Sequence, residues 1–194
     1  MRIGFFLAIS VALLCAVAAS APQSSAKPAA PQYTADGRLQ FPEGYRDWVY
    51  LSSGLGMTYK GGDSDEPMFT NVFVTPSAYR EFLASGKWPD KTVFVVEERG
   101  SSSRGSINRG GRYQSELMGL GVEVKDQSRF PEKWAYFTFG AQPDARKPQP
   151  KSACFQCHED HATVEHSFVQ FYPTLQPIAR RFGTYRESAN DNRR

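Results

Sequence analysis

The run CFQCHEDH, Cys154 to His161, places two cysteines two residues apart with a histidine directly after the second. Three chemistries use such a group: a zinc site, a redox dithiol, and covalent attachment of haem. Zinc usually takes four ligands. Candidates are Cys154, Cys157 and two of His158, His161 and His166, but the cysteine-to-histidine gap is far shorter than in a classical finger and no second Cys-x-x-Cys exists. A dithiol of the thioredoxin kind is expected near a βαβ pattern, whereas this motif follows a series of strand-like runs. Haem attachment uses all three residues. Each thiol forms a thioether with a haem vinyl group, and a helical turn presents His158 to the iron. The reading is one haem c, bound through Cys154 and Cys157, with His158 as metal ligand.

The sixth coordination position separates an electron carrier from a site that binds something. Met57, Met68, Met118, His161 and His166 are the available sulfur and imidazole donors. His161 follows His158 by three residues on the same helical face, so it cannot easily reach the opposite side of the ring. No methionine lies downstream of the motif. This pattern favours an open, five-coordinate iron.

Attachment of haem c takes place outside the bacterial cytoplasmic membrane, and the front of the chain agrees. MRIGFFLAISVALLCAVAASA has one charge, Arg2, then an apolar run from Ile3 to about Ala19 and two overlapping A-x-A patterns. This predicts a signal peptide over 1–21 and a periplasmic protein. An uncleaved anchor is the rival reading, since the run nears the ~18 residues needed to span. Leu14 before Cys15 is too bulky for a lipoprotein site. Removing the segment takes Cys15 with it and leaves only Cys154 and Cys157. A disulfide across so short a loop would stabilise little.

Arg2 is one of 23 basic residues, against 20 acidic ones, so the exported chain stays close to neutral. That balance argues against nucleic acid as a partner. The remaining length suits one domain. Residues 22–38, opening on PQSSAKPAAPQ, read as a disordered lead-in. The haem domain is placed at 39–184 and a frayed polar tail at 185–194.

The elements that must position the motif are mostly strands. Asp47 to Leu51, Phe69 to Val74, Thr92 to Glu98, Gly121 to Lys125 and Trp134 to Phe139 are short runs rich in Val, Phe, Tyr and Trp. One helix is marked by Thr75 as cap, Pro76 at its first position and Gly86 at its end. A second carries the motif. A third is predicted from Val164 to Leu175, with Phe168, Phe171, Tyr172 and Leu175 on one stripe that could wall the haem or simply fill the core. The Gly- and Ser-rich GSSSRGSINRGGRY from Gly100 lacks the Gly-Lys-Ser/Thr ending of a phosphate loop and reads as a connection between strands. There is no internal repeat. The class is α+β: a mostly antiparallel sheet with flanking helices and haem c on a C-terminal helix.

Several segments, in order, resemble the cytochrome P-460 family: FPEGYRDWV, FTNVFVTPSAYREFLASGKWPD, KTVFVVEE, GLGVEVKDQSRFPEKWAYFTFG, the haem motif, and FVQFYPTL. The resemblance implies one haem c and often a homodimer. It also implies one of two activities. One branch oxidises hydroxylamine with the help of a lysine linked to the haem ring; the other, the cytochromes c-prime-beta, binds nitric oxide or carbon monoxide in an apolar pocket. The lysine position falls on Val96 here. An arginine of the oxidising pocket falls on Thr70, and an acidic group before the motif falls near Gln149. Lys91 lies at the other end of the strand, Lys60 far upstream. Val96 shares a strand face with Phe94, and alternation aims Glu97 away. The resemblance therefore points to the c-prime-beta branch, with Val96, Phe94, Thr70 and Gln149 as distal-pocket candidates. The expected function is binding of nitric oxide or another small nitrogen-oxide or diatomic ligand, with a redox partner protein. The alternatives are an oxidoreductase acting on hydroxylamine or peroxide, or a simple electron carrier.

Overall fold

A computed structural model describes residues 30–58, 66–140, 144–151 and 154–187. The leader, Cys15, Lys60 and the last seven residues lie outside them. Five strands, β1 (Val49–Leu55), β2 (Phe69–Val74), β3 (Val93–Ser102), β4 (Tyr113–Lys125) and β5 (Trp134–Phe139), form one sheet in sequential order, every neighbour antiparallel. Three helices complete the α+β fold: α1 (Pro76–Ser85), α2 (Phe155–His161) and α3 (Gln176–Arg181).

Strand alternation divides the chain into two cores. Val93, Val95, Leu120, Val122, Val124, Phe137 and Phe139 point to the back, where they meet Leu39, Tyr45 and Phe41 from the N-terminal segment. Val74, Phe94, Trp134 and Tyr136 point to the front, where all three helices lie. Phe82 of α1, Trp88 and Phe94 pack in succession, the first pair tilted and the second edge-on, with ring centroids 4.1 and 4.7 Å apart. Gly86 ends α1 with φ of 68°. A Cβ there would come within 2.7 Å of Phe182, so this turn needs glycine both for its backbone and for its space.

Three expectations are corrected. Thr75 precedes α1, but its hydroxyl makes no capping bond and is buried without a partner; Pro76 at the first helical position removes one donor instead. The helix predicted from Val164 to Leu175 does not form. Val164–Ser167 is a tight turn, a single 3-10 turn spans Val169–Phe171, and α3 begins only at Gln176. Buried Val169, Tyr172 and Leu175 mimic a helical stripe because successive turns return every third residue to the same core. The Gly-rich stretch is not all loop either: Ser101 and Ser102 pair with Gln114 and Tyr113, so β3 and β4 form a long hairpin.

The ends of the domain are also more structured than composition suggests. Leu39 bridges to both Tyr33 and Arg146, and Tyr33 packs edge-on against Phe130. Near the C-terminus, the Arg186 N–H donates to the Thr163 carbonyl at 2.7 Å.

Candidate functional site

Front-facing residues near the chain's middle are small or short: Ser52 and Gly54 of β1, Thr70 and Val72 of β2, Val96 of β3, Gly121 of β4 and Thr138 of β5. They leave a cavity of about 390 Å³ between the sheet and α2. This falls within the range of small-molecule and cofactor sites. Cys154, Cys157 and His158 form part of its lining, with Phe168, Phe171 and Tyr172 beside them. The motif is therefore collected on one wall and the sheet supplies the facing one.

Helix α2 is short, and Phe155 anchors it in the front core. The His158 N–H donates to the Cys154 carbonyl at 3.1 Å, so Cys154 and His158 lie one helical turn apart. The imidazole is held between rings: Tyr136 and Phe168 each lie 4.4 Å from its centroid. Its Nδ1 is 2.7 Å from the His166 carbonyl oxygen. A carbonyl can only accept, so Nδ1 carries the proton and the lone pair is on Nε2. Nε2 lies 3.7 Å from Oε1 of Glu123, which lines the same cavity.

Glu123 escaped the sequence reading. It is a front-facing, buried β4 residue that lines the cavity, and burial pushes its carboxyl above the usual range, an effect His158 only partly offsets. The signal was in the alternation of GLGVEVK: Val122 and Val124 face the back core, which forces Glu123 to the front. Glu98 also lines the cavity, from its exposed end of β3. Among the described residues, no lysine or arginine lines it.

Of the distal candidates, Val96 and Thr70 line the cavity, whereas Phe94 and Gln149 do not. Phe94 is buried among Trp88, Trp134 and Tyr172. Gln149 is spent on the outside of β5, where its N–H donates to the Tyr136 carbonyl at 2.6 Å. Lys91 is turned away beside Asp126 and Ser128. Glu97 is buried on the back of the sheet against Arg46 and Arg99, as alternation requires. Met57 reaches the cavity over Gly54, while His161 and His166 are not among its lining residues.

The donor set fits haem better than its rivals. Among the described residues, no three His, Cys, Asp or Glu side chains are grouped to hold a metal ion, which leaves zinc without a tetrahedral set. Burial raises both thiols, with Glu123 adding to the rise at Cys154 and Asp160 at Cys157. Reactive dithiols need the opposite shift. A macrocycle between α2 and the sheet would meet both thiols, the free Nε2 lone pair and the Tyr136 hydroxyl, which is buried with no partner among the described residues.

An antiparallel sheet whose open face receives a Cys-x-x-Cys-His helix describes a c-type cytochrome. A model of the family Cytochrome P-460 matches residues 42–169, and the chain belongs to that family. Membership implies haem c. No curated protein matches the chain.

Proposed function

We propose that this is an exported, periplasmic cytochrome carrying one haem, linked through Cys154 and Cys157, with His158 as iron ligand and a small ligand bound on the sheet side. The observation that carries the reading is the single cavity that gathers both thiols and Nε2 of His158 opposite Val72, Val96 and Gly121. When bound, the haem supplies an iron that accepts a small donor and exchanges electrons one at a time. The chain's own residues do the rest. The His166 carbonyl keeps Nδ1 protonated and Nε2 free. Phe168 and Tyr136 hold the imidazole plane. Val72, Val96 and Gly121 give the ligand an apolar, uncrowded wall, and this favours small neutral molecules such as nitric oxide over anions, for which no lysine or arginine lines the cavity among the described residues. We place the protein with the c-prime-beta branch on the same ground, since Val96 stands where the cross-linking lysine would be. A redox partner protein and a homodimer accompany this reading.

A second reading is favoured by Glu123. A buried carboxyl with a raised proton affinity suits proton transfer better than an ordinary surface carboxylate, and hydroxylamine oxidation releases protons with its electrons. The deciding experiment is the absorption spectrum of the reduced protein, expressed with haem-attachment machinery, before and after carbon monoxide, followed by turnover of hydroxylamine with an electron acceptor. An ordinary high-spin spectrum that shifts with carbon monoxide, without turnover, supports ligand binding. Turnover that collapses in Glu123→Gln supports the oxidase. A six-coordinate spectrum indifferent to carbon monoxide overturns both.

A further inference from the structure

The tight turn after the motif helix does more than reverse the chain. Val164 and Ser167 form an antiparallel bridge, with the Ser167 N–H donating to the Val164 carbonyl at 2.9 Å. Inside it, Glu165 adopts φ of 51°, a left-handed conformation that side-chain-bearing residues avoid unless their surroundings hold them there. The next residue, His166, supplies the carbonyl that holds Nδ1 of His158. The strained turn thus sets where that carbonyl lies.

Two clamps hold the turn. The Lys125 ammonium donates to Oε2 of Glu165 at 2.6 Å and to the Trp88 carbonyl at 2.6 Å. Lys125 is itself buried, at the end of β4. The Trp88 indole N–H donates to the Ser167 hydroxyl at 2.6 Å, and that hydroxyl donates to the Val164 carbonyl at 2.9 Å. Ser167 is fully buried and Trp88 nearly so. A surface turn would need neither a buried ammonium nor a buried indole.

Lys125 and Glu123 share one face of β4. Glu123 faces Nε2 of His158, and Lys125 holds the turn that binds Nδ1. One strand therefore governs both nitrogens of the imidazole. We propose that Lys125, Glu165, Ser167 and Trp88 are positioning residues for His158, and that they set how strongly Nε2 donates to the iron. This rests on His158 being the iron ligand. A firm Nδ1–H···O=C bond raises the electron donation of a ligating imidazole. Loosening the turn weakens that bond, lowers the donation and raises the reduction potential.

At Lys125 the sign of the potential shift separates positioning from simple charge; at Glu165, where an anion is lost and charge alone also raises the potential, the iron–histidine band makes the separation. Removing a nearby cation, by electrostatics alone, stabilises the oxidised state relative to the reduced one and so lowers the potential. Loosening the turn raises it. The test uses the haem-loaded full chain as wild type, Lys125→Met, Glu165→Gly and Lys133→Met. Lys133 is exposed and lines the same surface cleft as Glu165, so it reports the charge effect. Glu165→Gly keeps a residue at ease with positive φ and serves if Lys125→Met fails to fold. The readouts are the iron–histidine stretching band of the ferrous protein by resonance Raman spectroscopy and the reduction potential. Lys125→Met and Glu165→Gly are expected to move the band to lower frequency and raise the potential, with Lys133→Met leaving the band in place. A wild-type band that neither clamp variant moves overturns the positioning role while leaving the haem reading intact. A wild-type protein that takes up no haem overturns the haem reading, and the positioning role with it; a haem-loaded wild type with no iron–histidine band overturns the open His158-ligated iron on which the positioning role rests.

Discussion

The two faces of the sheet are built from alternate residues of the same strands, yet they serve opposite ends. On the back, Val93, Val95, Val122 and Phe137 pack against Leu39, Tyr45 and Phe41, and the buried Glu97 carboxylate is matched by Arg46 and Arg99. On the front, the end near Trp88, Phe94 and Trp134 is filled with buried aromatic side chains, but the other end keeps Gly54, Thr70, Val96 and Gly121 around open space, with Glu123 buried beside His158 and, among the described residues, no lysine or arginine lining the cavity. A buried carboxyl with no lysine or arginine to match it, under a wall of short side chains, opposes stability. The back and the aromatic end of the front supply the packing that lets the cavity stay open.

The sharpest way to break the comparison is within one strand face. Phe94→Ala is expected to cost about 3–5 kcal/mol in urea unfolding, while Val96→Ala, two residues along and half-buried, costs about 1 kcal/mol or less. Similar losses at both sites would mean that the cavity is a packed core. Next in size is Glu97→Ala on the back face. It should cost about 2–3 kcal/mol, below the usual loss for a broken buried pair because Arg46 is half exposed and can be hydrated.

A smaller effect tests the charge logic through pH. Burial raises the Asp126 carboxyl, but the Lys91 ammonium and the Ser128 and Tyr33 hydroxyls outweigh it and hold the group below the usual carboxylate range. A carboxyl held low in the folded state stabilises it at neutral pH, and that contribution is lost as pH falls below about 4 through the folded value. Asp126→Asn should therefore melt lower than wild type at pH 7, by about 1–2 kcal/mol, and the gap should close in acid. A gap that persists at low pH would assign the effect to packing. The smallest expected change in stability comes from Gly121→Ala. Its added Cβ would lie 3.6 Å from Val96, an ordinary contact, so stability should shift by less than about 1 kcal/mol. Carbon monoxide binding to the reduced, haem-loaded protein should slow, because the methyl group enters the cavity. An unchanged rate would place the ligand elsewhere.

Much of the fold was legible because its signals are local. Runs rich in Val, Phe, Tyr and Trp marked β2 and β5 in full and the start of β3 to within a residue, and Pro76 and Gly86 bracketed α1. The extension of β3 and β4 through Ser101, Ser102 and Tyr113 was not legible, since Gly and Ser say loop wherever no partner strand is in view. The Val164–Leu175 stretch misled for a related reason. A three-residue repeat of apolar side chains satisfies both a helix and a chain of tight turns, and only its neighbours choose.

The site divides in the same way. Residue types and adjacent spacing already determined that Cys154, Cys157 and His158 lie close together, because a helical turn brings near neighbours to one side whatever the rest of the chain does. Parity along β3 determined that Glu97 turns away from Val96. The tertiary structure decided what faces the motif. It sent Phe94 into the aromatic core, left Gln149 outside, and brought Glu123 and the His166 carbonyl to the two nitrogens of His158. Such placements depend on register between strands and on turns closed by residues some forty positions away, as Lys125 and Glu165 are, and no local pattern encodes a distance across the sheet.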